Sequence, residues 1–127
     1  MTTDVKVLNK FAQLEYKWGE IERGRTILEG IVAKYPKRTD IWSVYLDMEM
    51  TQNKKDPQWR HLRHLFERLI TFEFSSKKMK FFFKRFLDFE SNQGGHQPDR
   101  LAYVKRKAEA YVQKQHAAMT EEPPVQA

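Results

Sequence analysis

The chain has 127 residues, 40% apolar and 31% charged, with a formal net charge of +6 and no cysteine. That length and balance fit one folded domain with a real but modest core. Disulfides and thiolate metal sites are excluded, no apolar run approaches the roughly 18 residues of a membrane span, and the start MTTDVKVLNK lacks the apolar centre of a secretory signal.

In chain order, residues 4–18 place Leu8, Phe11, Leu14 and Trp18 at helical spacing and stop at Trp18-Gly19. Residues 20–35 do the same with Ile27, Leu28, Ile31 and Val32. The segment Tyr35-Pro36-Lys37-Arg38-Thr39 separates them from a helix over 40–53. Asn53 to Pro57 is a break, with Pro57 suited to the first turn of a helix over 57–73. Ser75 and Ser76 offer N-caps for 76–93, which holds MKFFFKRFLDFE, five phenylalanines in twelve residues. Gln93-Gly94-Gly95-His96 ends that helix and Pro98-Asp99 opens one over 98–117. MTEEPPVQA, from 119 on, reads as a disordered tail. Period-two alternation is nowhere sustained, so strands are not expected. Short connections between six helices imply antiparallel neighbours.

Self-similarity organises these helices into pairs. Aligning Glu15, Glu49 and Glu90 superposes Leu8/Phe11/Leu14, Trp42/Tyr45/Met48 and Phe83/Phe86/Phe89, at spacings of 34 and 41 residues. The following helices align as well: Arg25 and Glu29 match Arg63 and Glu67, and more loosely Lys105 and Glu109. Each repeat is an A helix followed by a B helix. Phe81, Phe82 and Phe83 span roughly 200° of their helix, an arc that several neighbours in a stack can cover, while Lys77, Lys80 and Lys84 share one outward side.

The pattern of Trp42, Tyr45 and Glu49 followed by Arg63, Phe66 and Glu67 resembles the half-a-TPR (HAT) repeat. The resemblance implies antiparallel helix pairs stacked into a superhelix, a scaffold role in RNA processing, and no catalysis. Over about residues 8–115, YPKRTDIWSVY, KKMKFFFKRFLDFE and VKRKAEAYV are together similar to the HAT/TPR-type tail of the large ribosomal-RNA-processing proteins that carry many S1 domains. This implies a fragment of a longer protein with an artificial start at Met1-Thr2-Thr3. It also implies a nucleolar setting, partners among pre-ribosomal assembly proteins with pre-ribosomal RNA as a further contact, and a link to small-subunit assembly. The third repeat departs most, with Lys105 in the arginine position and a lengthened loop from Asn92 to Pro98.

The expected architecture is an all-α, right-handed superhelical stack of three antiparallel helix pairs in residues 1–118, at about 4–35, 40–73 and 76–117, with a tail over 119–127. The repeat positions Phe11, Glu15, Arg25, Trp42, Tyr45, Glu49, Arg63, Glu67, Phe83, Phe86 and Glu90 are read as structural. Each A-helix glutamate is expected to pair with a B-helix cation, Arg25, Arg63 or Lys105. The glutamates fall in different repeats, too far apart for paired acid–base work. His61 and His64 are half of a metal site with no third ligand to name, since His96 and His116 lie elsewhere. No phosphate loop or nucleophile motif is present, so no enzyme, cofactor, metal or small-molecule substrate is expected. Trp59 is read either as a surface anchor or as cover for a repeat junction.

Charge gives the functional candidates. Residues 1–53 carry eight basic and eight acidic residues, whereas 54–118 carry fifteen and seven. Lys77, Lys78, Lys80, Lys84 and Arg85 on the third A helix, with Arg100, Lys105, Arg106 and Lys107 on the last B helix, form the candidate partner surface. The function expected is protein–protein scaffolding in pre-ribosomal RNA processing. Direct RNA binding through residues 77–107 is one alternative, oligomerisation another; a solvated polar face is the bland reading of the same lysines.

Overall fold

A computed structural model of the chain describes residues 4–57, 59–93 and 97–120. Among them are six α-helices and no strand: α1 Val5–Trp18, α2 Ile21–Lys34, α3 Thr39–Lys55, α4 Trp59–Leu69, α5 Ser76–Asn92 and α6 Pro98–Thr120. The fold is all-α. Two compact units divide the chain, Met1–Leu65 and Phe66–Ala127, so the division falls inside α4.

Local chemistry sets the ends. Asp4 caps α1 by accepting from the Lys6 amide at 2.9 Å, and the Gly19 amide closes the helix onto the Glu15 carbonyl. Ser75 caps α5 by accepting from the Lys78 amide. Pro98 is the first residue of α6, where its missing N–H costs nothing. α4 is shorter than the 57–73 expected. Beyond Leu69 the Thr71 hydroxyl and amide both turn back onto the Arg68 carbonyl, diverting the ladder. Phe72 and Phe74 then meet with tilted rings, 5.3 Å between centroids, and Phe74 leans on Phe82. α6 runs to Thr120, past the expected start of the tail at 119. Gly94, Gly95, His96 and residues 121–127 lie outside the described residues.

In the first unit α1 packs on α2, α2 packs on α3, and α1 also touches α3. The core holds Ala12, Tyr16, Leu28, Ile31, Val32, Ile41, Trp42, Tyr45 and Leu46, joined by Leu62 and Leu65 of α4. Gly24 lets α1 and α2 approach: a Cβ there would stand 2.6 Å from the Tyr16 ring and 3.0 Å from the Ala12 carbonyl oxygen. In the second unit α5 packs on α6. Phe66 stacks on Phe86 at 4.9 Å and on Phe89 at 5.4 Å, and Phe83 meets Tyr111 of α6.

Trp42, Tyr45, Phe83 and Phe86 are buried, as their repeat positions require. Two rings depart from the expected interior. Phe81 is 46% exposed, on the arc that α5 turns away from its partners, with the Arg85 guanidinium 5.8 Å from its ring centroid. Phe11, the counterpart of Tyr45, is exposed because no described helix lies across that side of α1.

Candidate functional site

The most densely bonded polar group is the buried carboxylate of Glu49, on α3. Arg25 of α2 grips it with Nε at 2.6 Å and an Nη at 2.9 Å, and the Tyr16 hydroxyl of α1 donates to it at 2.5 Å. Three helices are thereby tied through one side chain. Arg25 also reaches Glu22, one turn back on α2. Burial, and secondly the bond to Glu49, push the Tyr16 phenol above its ordinary pKa. The same carboxylate holds the Arg25 guanidinium above its ordinary value. His61 of α4 brings Nε2 to 3.7 Å from Glu49, yet burial outweighs that attraction and pushes its imidazole below the usual histidine value. His64 is exposed, so the two histidines do not share an environment. No group of three His, Asp or Glu side chains placed to hold a metal occurs among the described residues. With its oxygens taken up by donors from α1 and α2, Glu49 acts as a structural acceptor.

The expected pairing of an A-helix glutamate with a B-helix cation is present at Glu49. Glu49 takes its bidentate partner from the preceding pair, Arg25. Glu15 has Arg23 at 3.9 Å, and Glu90 has Arg100 at 3.8 Å. Arg63 lies with its guanidinium 4.8 Å from the Trp59 ring centroid, on which Arg60 also rests at 5.1 Å. Lys105 is exposed. A shared repeat pattern fixes which residues recur, whereas the contact is fixed by which helices lie side by side.

A second polar cluster sits in the second unit. Glu67 accepts from an Nη of Arg100 at 2.8 Å and from the Tyr103 hydroxyl at 3.0 Å, with the Arg100 guanidinium over the Tyr103 ring. Burial, with the bond to Glu67, raises the Tyr103 phenol. Arg100 is thus drawn into the fold, apart from the other basic candidates. Lys77, Lys78, Lys80 and Lys84 are exposed on α5, and Arg85 is half-buried beside Phe81. Lys105, Arg106 and Lys107 are exposed on α6, with the Lys107 amine 5.6 Å from the Tyr103 ring. Sequence reasoning did not single out Tyr16, Tyr103 or the exposure of Phe81. The only advance signal was for Phe81: the three-phenylalanine run covers a wider arc than one partner helix can.

Helices packed in pairs, with carboxylates held between them, define a helical-repeat fold. The chain belongs to the family described as the PRP39 N-terminal HAT repeat, whose model matches residues 5–119; HAT repeats form helical solenoids. The chain is 47% identical to "rRNA biogenesis protein rrp5" of Schizosaccharomyces pombe over 113 residues, 89% of this chain and 6% of that protein. It is 45% identical to "Protein RRP5 homolog" of Mus musculus over 115 residues, 91% of this chain and 6% of the relative. It is 44% identical to the Homo sapiens protein of the same name over 109 residues, 86% of this chain and 6% of the relative. The chain thus spans only about 6% of the length of these relatives. No helix among the described residues is long and apolar enough to cross a membrane.

Proposed function

We propose that the chain is a non-catalytic scaffold module of a ribosome-biogenesis factor. It holds protein partners during pre-ribosomal RNA processing and small-subunit assembly, in the nucleolus, and corresponds to the HAT-type tail of such a factor. The carrying observation is the 45–47% identity, along most of the chain, to proteins named for rRNA biogenesis. The chemistry agrees with it. The buried carboxylates of Glu49 and Glu90 sit among arginines that join helices, an arrangement suited to a rigid support. The partner face is the lysine side of α5, Lys77, Lys80 and Lys84, with Lys105 to Lys107 of α6. Crosslinking with mass spectrometry in assembled pre-ribosomal particles tests this. Crosslinks from Lys77, Lys80, Lys84 or Lys105 to assembly proteins support the scaffold, and their absence from all four overturns the assigned face.

Direct RNA binding is a second reading, favoured by one feature. Phe81 presents a partly exposed ring between Lys77, Lys80 and Lys84, the combination of stacking surface and phosphate-binding charge that single-stranded RNA uses. RNA crosslinks at α5 in place of protein crosslinks favour this reading.

A further inference from the structure

We propose, resting on the reading of α5 as the partner face, that this face takes an acidic protein segment built around one aliphatic anchor. Its carboxylates meet Lys77, Lys80 and Lys84 while the anchor covers Phe81. Residues 76–87 of α5 carry five cations and no acid, and the first acidic residue of the helix is Asp88. Lys77, Lys78, Lys80 and Lys84 are all exposed. Lys77 and Lys80 stand three residues apart, and Lys80 and Lys84 four, so like charges crowd one side of the helix and work against it. Lys77 and Lys78 also fall in the first turn, where the helix dipole disfavours cations. A row of carboxylates laid along this side relieves all of these repulsions together.

Phe81 supplies the apolar part. Its ring stays 46% exposed amid the lysines, yet it is held from inside. The buried Phe82 ring meets it edge-on at 5.4 Å between centroids, and the Arg85 guanidinium lies over it at 5.8 Å. The ring is therefore oriented before any partner arrives, which spares part of the ordering cost of binding. The same contacts favour a protein over a nucleic acid. A base needs an open ring face, and Arg85 already lies over one; methyl groups pack against whatever edge or face is left. Lysine ammoniums are point charges that accept a carboxylate from many directions. From Lys77 to Lys84 the helix rises about 10 Å, so two turns of an acidic helix, with acids at either end and Leu, Ile or Val between them, match the span. Charge brings such a segment to α5, and the water-excluding contact with Phe81 holds it in register.

Carbodiimide coupling in assembled pre-ribosomal particles tests this, run beside an amine-to-amine crosslinker and ultraviolet crosslinking to RNA. Carbodiimide joins an amine to a carboxylate with no spacer, so it reports only groups in contact. The expected result is amide links from Lys77, Lys80 or Lys84 to Asp or Glu of a protein segment that has Leu, Ile or Val within four residues. That segment, made as a synthetic peptide, should bind the 127-residue chain. Phe81→Ala and the double change Lys80→Glu with Lys84→Glu should each weaken it about tenfold. All three residues lie at the surface, so circular dichroism of both variants should stay native. Amine-to-amine links to proteins without any carbodiimide link overturn the acidic segment and leave α5 a partner face. Ultraviolet links to RNA in place of protein links overturn it in favour of RNA. Absence of every link overturns the partner face and the acidic segment together. Peptide binding indifferent to Phe81→Ala overturns the anchor.

Discussion

Glu49 is 2% exposed, and taking a carboxylate out of water costs several kcal/mol unless donors replace the lost hydration. Arg25 and Tyr16 are those donors, and they are not equivalent. Arg25→Leu removes the countercharge and both N–H bonds, so it should destabilise the fold by about 3–5 kcal/mol. Tyr16→Phe removes one bond to a charged acceptor and should cost about 1.5–3 kcal/mol. Urea midpoints of the two variants give the order, and a Tyr16→Phe loss equal to that of Arg25→Leu contradicts this account. His61 adds a pH dependence whose sign follows from its burial. Its imidazole titrates lower in the folded chain than the ordinary value of 6.5, so below that pH the unfolded state takes up the proton first. Its contribution is fully present above about pH 6.5 and fades as pH falls toward the folded-state value. His61→Gln should therefore flatten the stability profile between pH 7 and pH 5 relative to the parent chain. An unchanged slope in paired urea titrations counts against the buried, neutral imidazole.

Two glycines of α2 separate helix propensity from helix packing. Gly30 has no atom within 4 Å of an added Cβ and is exposed, so Gly30→Ala should stabilise by about 0.5–1 kcal/mol through the unfolded chain and helix propensity. Gly24→Ala gains the same propensity but drives a methyl against the Tyr16 ring and the Ala12 carbonyl. The ring tilts only by disturbing its bond to Glu49, and the carbonyl belongs to α1 itself. A net loss of about 1–3 kcal/mol is expected. Thermal melts of the two variants should move in opposite directions. This contrast also marks what the sequence discloses at this scale. Helix positions were legible because Trp18-Gly19, Tyr35-Pro36, Ser75-Ser76 and Pro98 act locally, through caps and backbone limits. Pairings between helices were legible only as a pattern. That glutamate and arginine recur every repeat is visible in the residues; that Glu49 faces Arg25 depends on which helix α3 lies against. The stop of α4 at Leu69 was missed because the apolar run continues through Ile70, Phe72 and Phe74, while a threonine side chain redirects the backbone.

Across the whole molecule the net charge of +6 resides in the second half, and its exposed share on α5 decides between two kinds of partner. Phosphate binding releases counterions, so each lysine on a single-stranded RNA adds about 0.7 to the magnitude of the slope of log affinity against log salt. Replacing Lys77, Lys80 and Lys84 by glutamate should then reduce that slope by about 2 and weaken binding uniformly across RNA sequences. Phe81→Ala supplies the control that charge alone cannot. A stacked base loses about 1–3 kcal/mol when its ring is removed, and no counterion is involved, so affinity should fall while the salt slope stays put. A protein partner held by acidic residues responds to the triple change but has no base to stack. Fluorescence anisotropy with a short unstructured RNA, measured from 50 to 300 mM salt on both variants, reads the two effects separately. Loss of affinity on Phe81→Ala at constant slope assigns α5 to RNA. An RNA affinity insensitive to both changes removes α5 from RNA contact and leaves its lysines to an acidic protein surface.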